Sequence, residues 1–529
     1  MPGLSPYSGP FTATQANHLL RRTMYGPTRA EVQQAVAQGL EATLDSLLAT
    51  APLPEPPVYY DYENDPLVPN FSTWVDAATP TGNVARPSRK RSLFSWHLQQ
   101  LHEQGVHIRE KMTLFWMNHF GTNEDNSNDP RMHYHFGQLL REYATGDARE
   151  LVKRVTISPL MLRFLNGHTN NKNNPNENYA RELMELYTLG KGALAGAGDY
   201  TTFTEDDVSA LARALTGWRV RGFNTTNPDT PLESFFVANR HDTGDKQLSH
   251  RFDNAVLIDG GDQEYAQVVD LLFDRPETAT YLARELYRWF VYYRVDATVE
   301  TEVIAPLAQI LLDNDYRIEP ALRTLLASAH FFDALSIGPM IRNPVDYLFA
   351  ATRGLDYPFP SDDLFLYYRQ FTVLFNQLSN MEMRLYNCPN VAGWPAYHQD
   401  PVYYRSWISA VTLPTRMRSV EQLSGNGFFV NGERIVIEVL DYVATLDSPE
   451  DPNALIADLS AHLHPVPLTA DQHLYLKEIL IPGLPDFEWT VEYQAYLDDP
   501  TNNGLRTAVR NKLRDLFRAL LVLPEFILS

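Results

Sequence analysis

The sequence has one cysteine, Cys388, in 529 residues. It cannot close an internal disulfide, and no CxxC pair exists to hold zinc through thiolates. It has no apolar run near the roughly eighteen residues that span a bilayer. Met1 to Pro10, rich in Pro, Gly and Ser, holds no basic segment leading into an apolar core. No secretory signal peptide is therefore expected in this chain. Positive charge is the scarcer sign: 44 Lys and Arg against 65 Asp and Glu give a formal net charge of -21. That balance repels phosphate backbones and argues against nucleic-acid binding, while it suits cationic ligands and divalent metal ions. There is no G-x-S-x-G elbow, Walker loop, dinucleotide fingerprint or H-E-x-x-H, which removes the commonest recognisable chemistries.

What is present is the composition of a folded protein, 44% hydrophobic and 21% charged, with helical rather than alternating apolar spacing. Thr28 and Glu31 form a capping box for a helix through Val32 and Leu40. Residues 92–120 read as helical. Asn174, Pro175 and Glu177 read as N-cap, first position and box of a helix that Gly190 stops. Thr204 and Asp207 open another, through Trp218. The class expected is all-α: a large multi-helical, bundle-like assembly with long irregular loops and little or no sheet. Residues 1–420 are expected to form a helical core and 421–529 a C-terminal helical segment packed on it. Within the core, 50–90 (Pro-rich) and 219–262 read as long loop excursions.

Several motifs occur in order: Ala16-Asn17-His18-Leu19-Leu20-Arg21-Arg22, Phe115-Trp116-Met117-Asn118-His119-Phe120, Pro175-Asn176-Glu177-Asn178-Tyr179-Ala180-Arg181-Glu182-Leu183, and Arg213-Ala214-Leu215-Thr216-Gly217-Trp218. They continue with His241-Asp242 and Lys246, Pro389-Asn390-Val391-Ala392-Gly393-Trp394-Pro395, and Leu523-Pro524-Glu525-Phe526. Over nearly its whole length the chain resembles a bacterial family, domain of unknown function 1800. The resemblance implies a largely helical protein, exported in many members and often encoded beside a sulfatase-like partner family. It carries over no reaction. The missing signal peptide departs from many members and leaves the compartment open.

On a helical wheel from Pro175, Asn178, Arg181, Glu182 and Glu185 share one face and Tyr179, Leu183 and Tyr187 the opposite, core-facing one. Glu182 and Glu185, three residues apart, could chelate one cation. The plainer reading pairs Arg181 with Glu177 and Glu185 on a solvated surface, each pair contributing only about 0.2–0.5 kcal/mol. His119, at a helix end, is a candidate ligand or a cap for the last carbonyls. His241, Asp242 and Lys246 put a base, an acid and a cation in one polar turn, with an ordinary Asx turn as the alternative. The aromatic stretch from Trp394 to Trp407 reads as a stacking platform or as a packed loop.

Two functions follow. In the first, the protein is a metal-dependent enzyme acting on an envelope or extracellular substrate. His119, Glu182, Glu185, His241 and Asp242 would converge on a divalent ion, Glu182, Glu185 or His241 would act on a bound water, and Arg181 or Lys246 would hold an anionic group. In the second, it is a non-catalytic binding or assembly protein of the cell envelope.

Overall fold

The computed structural model describes residues 3–60, 65–80, 85–125 and 127–529. The parts of the expected 50–90 excursion at 61–64 and 81–84 lie outside the described residues. The chain is predominantly helical, and among the described residues every sheet is a two-stranded antiparallel hairpin. No described helix is long and apolar enough to cross a membrane.

Local chemistry accounts for many of the helix starts. Thr28 accepts from Glu31 N while the Glu31 carboxylate accepts from Thr28 N, closing the expected box of helix Arg29–Gln38. Thr204 and Asp207 do the same for helix Glu205–Ala214. The motif helix begins later than expected. Its N-cap is Asn176, which accepts from Asn178 N, and the α-helix Glu177–Glu182 passes into a π-turn over Leu183–Tyr187. Gly190, at φ +74°, then ends the segment. The helix expected to reach Trp218 stops at Ala214, and Trp218 opens the strand Trp218–Arg221, paired with Glu233–Phe236. Residues 92–120 divide into helices Ala85–His102 and Arg109–His119.

Apolar faces then assemble the helices. Ala85–His102 lies along Leu364–Asn380, where the Phe94 and Phe375 rings stack with centroids 4.1 Å apart. Thr412–Ser424 and Ala470–Leu480 both flank the long helix Asn503–Val522. One buried apolar cluster runs from Ala16 to Phe526 and includes residues on both sides of position 420. Polar bonds tie the ends together: Asn17 Nδ2 donates to Ala461 O at 3.2 Å and Arg342 N to Ile527 O at 2.8 Å.

Two motifs distant in sequence interlock. Helix Arg109–His119 ends against the loop around Gly393, where Asn118 Oδ1 accepts from Trp394 N at 2.9 Å. Gly393 sits at φ +86°, and a Cβ there would lie 2.4 Å from Asn118 O. Only glycine meets both demands. Gly393→Ala is therefore expected to destabilise the protein by at least about 2 kcal/mol, read as a lowered urea midpoint. An unchanged midpoint would contradict the interlock.

Candidate functional site

The site is built at the C-terminal end of helix Glu205–Ala214. Gly217, at φ +100°, turns the chain into strand Trp218–Arg221, and a Cβ on it would lie 3.2 Å from His241 Cβ. The close approach brings His241 against Thr216. Its Nδ1 lies 2.9 Å from Thr216 O, an acceptor, so Nδ1 carries a proton. Nε2 then points at two carboxylates: Glu264 Oε2 at 2.8 Å and Asp259 Oδ1 at 3.5 Å. Lys246 Nζ lies 2.6 Å from Glu264 Oε1 and donates to Asp242 O at 2.5 Å. The Lys246 and Glu264 side chains are 0% exposed and His241 2%, whereas Asp259 is 42% exposed. Glu264 is thus neutralised in the dry interior, and Asp259 faces solvent at the rim.

Further polar contacts around the turn fix this group. Asp242 takes a two-point ion pair from Arg213, at 2.8 and 3.0 Å, and its N–H donates to Thr216 Oγ1. The hydrogen bonds from Arg213 hold the Asp242 carboxyl below its usual range against the opposing effect of burial. The capping carboxylate of Asp207 is fully buried and accepts from Ser249 N and Oγ at 2.7 Å each. It anchors the loop that follows Lys246. His241, Asp242 and Lys246 are therefore brought together, with the Asp242 carboxylate turned to Arg213 rather than to His241.

The other candidates stand elsewhere. His119 Nε2 lies 3.1 Å from Tyr187 O, and burial lowers its pKa to about 4. Arg181 makes a two-point pair with Glu205, both contacts at 2.7 Å, and a 3.5 Å contact with Glu177. Glu205 lies eight residues before Arg213 on one helix, so the two ion pairs are about 12 Å apart along its axis. Glu185 pairs with Lys191 at 3.1 Å. Burial, and then the charge of Glu185, pushes the Glu182 carboxyl above its usual range. Among the described residues, the one His/Asp/Glu group spaced to hold a metal is His241, Asp259 and Glu264. The expected convergence of His119, Glu182, Glu185, His241 and Asp242 on one ion is not what the fold builds. The π-turn resets the helix register after Glu182, and each of these groups except Glu182 already meets another partner.

Sequence reasoning missed Glu264 and Asp259. Asp259-Gly260-Gly261-Asp262-Gln263-Glu264 reads as an ordinary acidic loop and helix start. Only the tertiary approach of His241 marks it.

A cavity of about 920 Å³ opens between helices Pro130–Glu142 and Ala148–Thr156 and the 218–236 hairpin, with Arg131, Phe136, Glu150 and Tyr265 in its wall. None of the seven residues proposed from sequence lines it. Trp218 and Phe236, in ring contact with Tyr265 and His241 respectively, stand between it and the His241 group.

A family model described as protein of unknown function (DUF1800) matches residues 18–528. The chain belongs to the DUF1800 family. No curated protein and no solved structure matches this DUF1800 chain.

The burial contrast sets a prediction for this family member. Glu264→Ala leaves Lys246 and His241 without their buried counter-charge and is expected to cost about 3–5 kcal/mol. Arg181→Ala breaks a half-exposed pair and is expected to cost under about 1 kcal/mol. Urea unfolding of the two variants checks the difference, and comparable losses would contradict the ranking.

Proposed function

We propose that the protein is a divalent-metal-dependent enzyme whose ion is held by His241, Glu264 and Asp259. The observation that carries this reading is the orientation of His241. Its Nδ1–H is committed to a backbone carbonyl, as it commonly is in metal-bound histidines, and its Nε2 faces two carboxylate oxygens. A proton on Nε2 satisfies that arrangement as an ion pair, and a metal ion satisfies it by replacing the proton. One nitrogen and two oxygens suit zinc or manganese better than calcium or magnesium.

The exposed side of Asp259 is where water and substrate would reach the ion, which fits hydrolysis of an envelope or extracellular substrate. Lys246 tempers the charge of Glu264, and Asp242 with Arg213 positions the turn. Arg181, Glu182 and Glu185 form a separate polar face, and a sulfatase-like protein is the partner that family resemblance points to.

Metal content after incubation with Zn²⁺ or Mn²⁺ and desalting tests the reading. About one equivalent is expected in wild type and in Glu182→Gln, and none in His241→Ala or Glu264→Gln. Absence of metal from wild type would overturn it. It would favour the second reading, a non-catalytic binding or assembly protein, for which the exposed apolar side chains Leu474, Tyr475, Phe487 and Val491 of the C-terminal helices offer a contact surface.

A further inference from the structure

The His241 group is a balanced set of charges; a second buried polar cluster is not. Arg21 and Arg22 of helix Ala13–Thr23, Lys111, Arg342 and Arg416 come together from four separate segments, each no more than 8% exposed. The acidic side chain among them is Asp346, whose two oxygens are taken by Lys111 Nζ at 2.5 Å and Asn343 Nδ2 at 2.8 Å. Counting an α-carboxylate at Ser529, which borders the same space, still leaves the cations ahead. In a chain with net charge -21, this is a local inversion of sign.

The guanidinium groups are held by carbonyls rather than carboxylates. Arg21 donates to His462 O, Arg22 to Ser336 O, Arg342 to Leu463 O and Arg416 to Arg342 O. Burial lowers Arg22, Arg342 and Arg416 to about 10, which leaves them charged at neutral pH. Burial, and after it the charge of Arg342, lowers Arg21, and burial lowers Lys111 against the opposing charge of Asp346. Three buried donors in the wall of one cavity have no partner within the protein: Arg22 Nε, Arg342 Nη1 and Trp289 Nε1. Tyr397, in the same wall, accepts from Asn343 and keeps its own hydroxyl proton to give. The unmet groups are all donors, and buried donors of this kind are costly to leave unmet. A neutral guest such as water offers donors as well as acceptors. An anion offers acceptors alone and also offsets the charge.

The space limits the choice. This cavity and the one adjoining it, which shares Arg21, Arg342 and Asp346, each measure about 20 Å³. That is room for a single small guest, which favours the smallest anions over phosphate, sulfate and organic acids. We propose that the cavity walled by Arg22, Arg342, Trp289 and Tyr397 is a buried site for a monatomic inorganic anion of the halide class.

Thermal melts in chloride, bromide and gluconate at equal ionic strength, with a bromide soak of crystals, test it. Chloride and bromide are expected to raise Tm saturably by a few degrees and gluconate to leave it unchanged. Bromide is expected to give an anomalous peak between Arg342 Nη1 and Trp289 Nε1. Arg342→Gln should abolish the effect. Should that variant fail to fold, Trp289→Phe removes one donor and no charge, and is expected to weaken the apparent halide affinity several-fold. Melts that follow ionic strength alone, or a cavity without a bromide peak, would overturn the proposal.

Discussion

A carboxylate without solvent must be neutralised where it stands, and Glu264 is such a group. Lys246 and His241 do this from one side of a turn whose other side is pinned by Asp242 to Arg213. The turn is seated on the carbonyl end of helix Glu205–Ala214 through Thr216. The stretch from 215 to 263 has few apolar residues with helical or strand period and two small hairpins. Directional polar bonds that end on Glu264, Asp207 and the helix terminus add to the burial of Leu248, Phe252 and Leu257 in ordering it. Removing the buried carboxylate therefore removes one of the main ties of this segment to the core.

The legible parts of the fold were those written in local chemistry. Thr28 with Glu31 and Thr204 with Asp207 make the boxes expected of them, because a capping box involves only four neighbouring residues. Errors arise where tertiary packing chooses among local options. Asn174, Asn176 and Pro175 offer competing starts, and the pairing of Asn176 N with buried Asn170 Oδ1 selects Asn176. Helix Leu364–Asn380 carries a weak sequence signature, because its core face is largely aromatic and its other positions include Leu366 and Val373, which blurs the amphipathic period. The π-turn after Glu182 has no sequence signal of its own.

The site was half legible. His241, Asp242 and Lys246 stand out as a polar turn, and the fold gathers them. Glu264 and Asp259 lie in an acidic stretch like many others in a chain with 65 acidic residues, so only spatial contact distinguishes them. The Trp394–Trp407 aromatics resolve in favour of packing: Trp394, Tyr397, Tyr404 and Trp407 are each less than 10% exposed. Of their ring contacts, the pairing of Tyr397 with Trp289 lines the cationic cavity. The motif holding Arg21 and Arg22 thus bears on a different cluster from the motif at His241, one reason that motifs scattered over the chain do not meet at one ion.

The central claim is that Nε2 of His241 exchanges its proton for a metal ion while Nδ1 stays bound to Thr216. The ¹⁵N spectrum of protein labelled at histidine, recorded before and after one equivalent of Zn²⁺, tests this directly. The account predicts that Nε2 of His241 loses its proton and takes on a metal-bound shift, with Nδ1–H unchanged, in wild type and not in Asp259→Asn. A His241 ring that keeps both protons in the presence of Zn²⁺ would contradict it and leave the group as a structural ion pair.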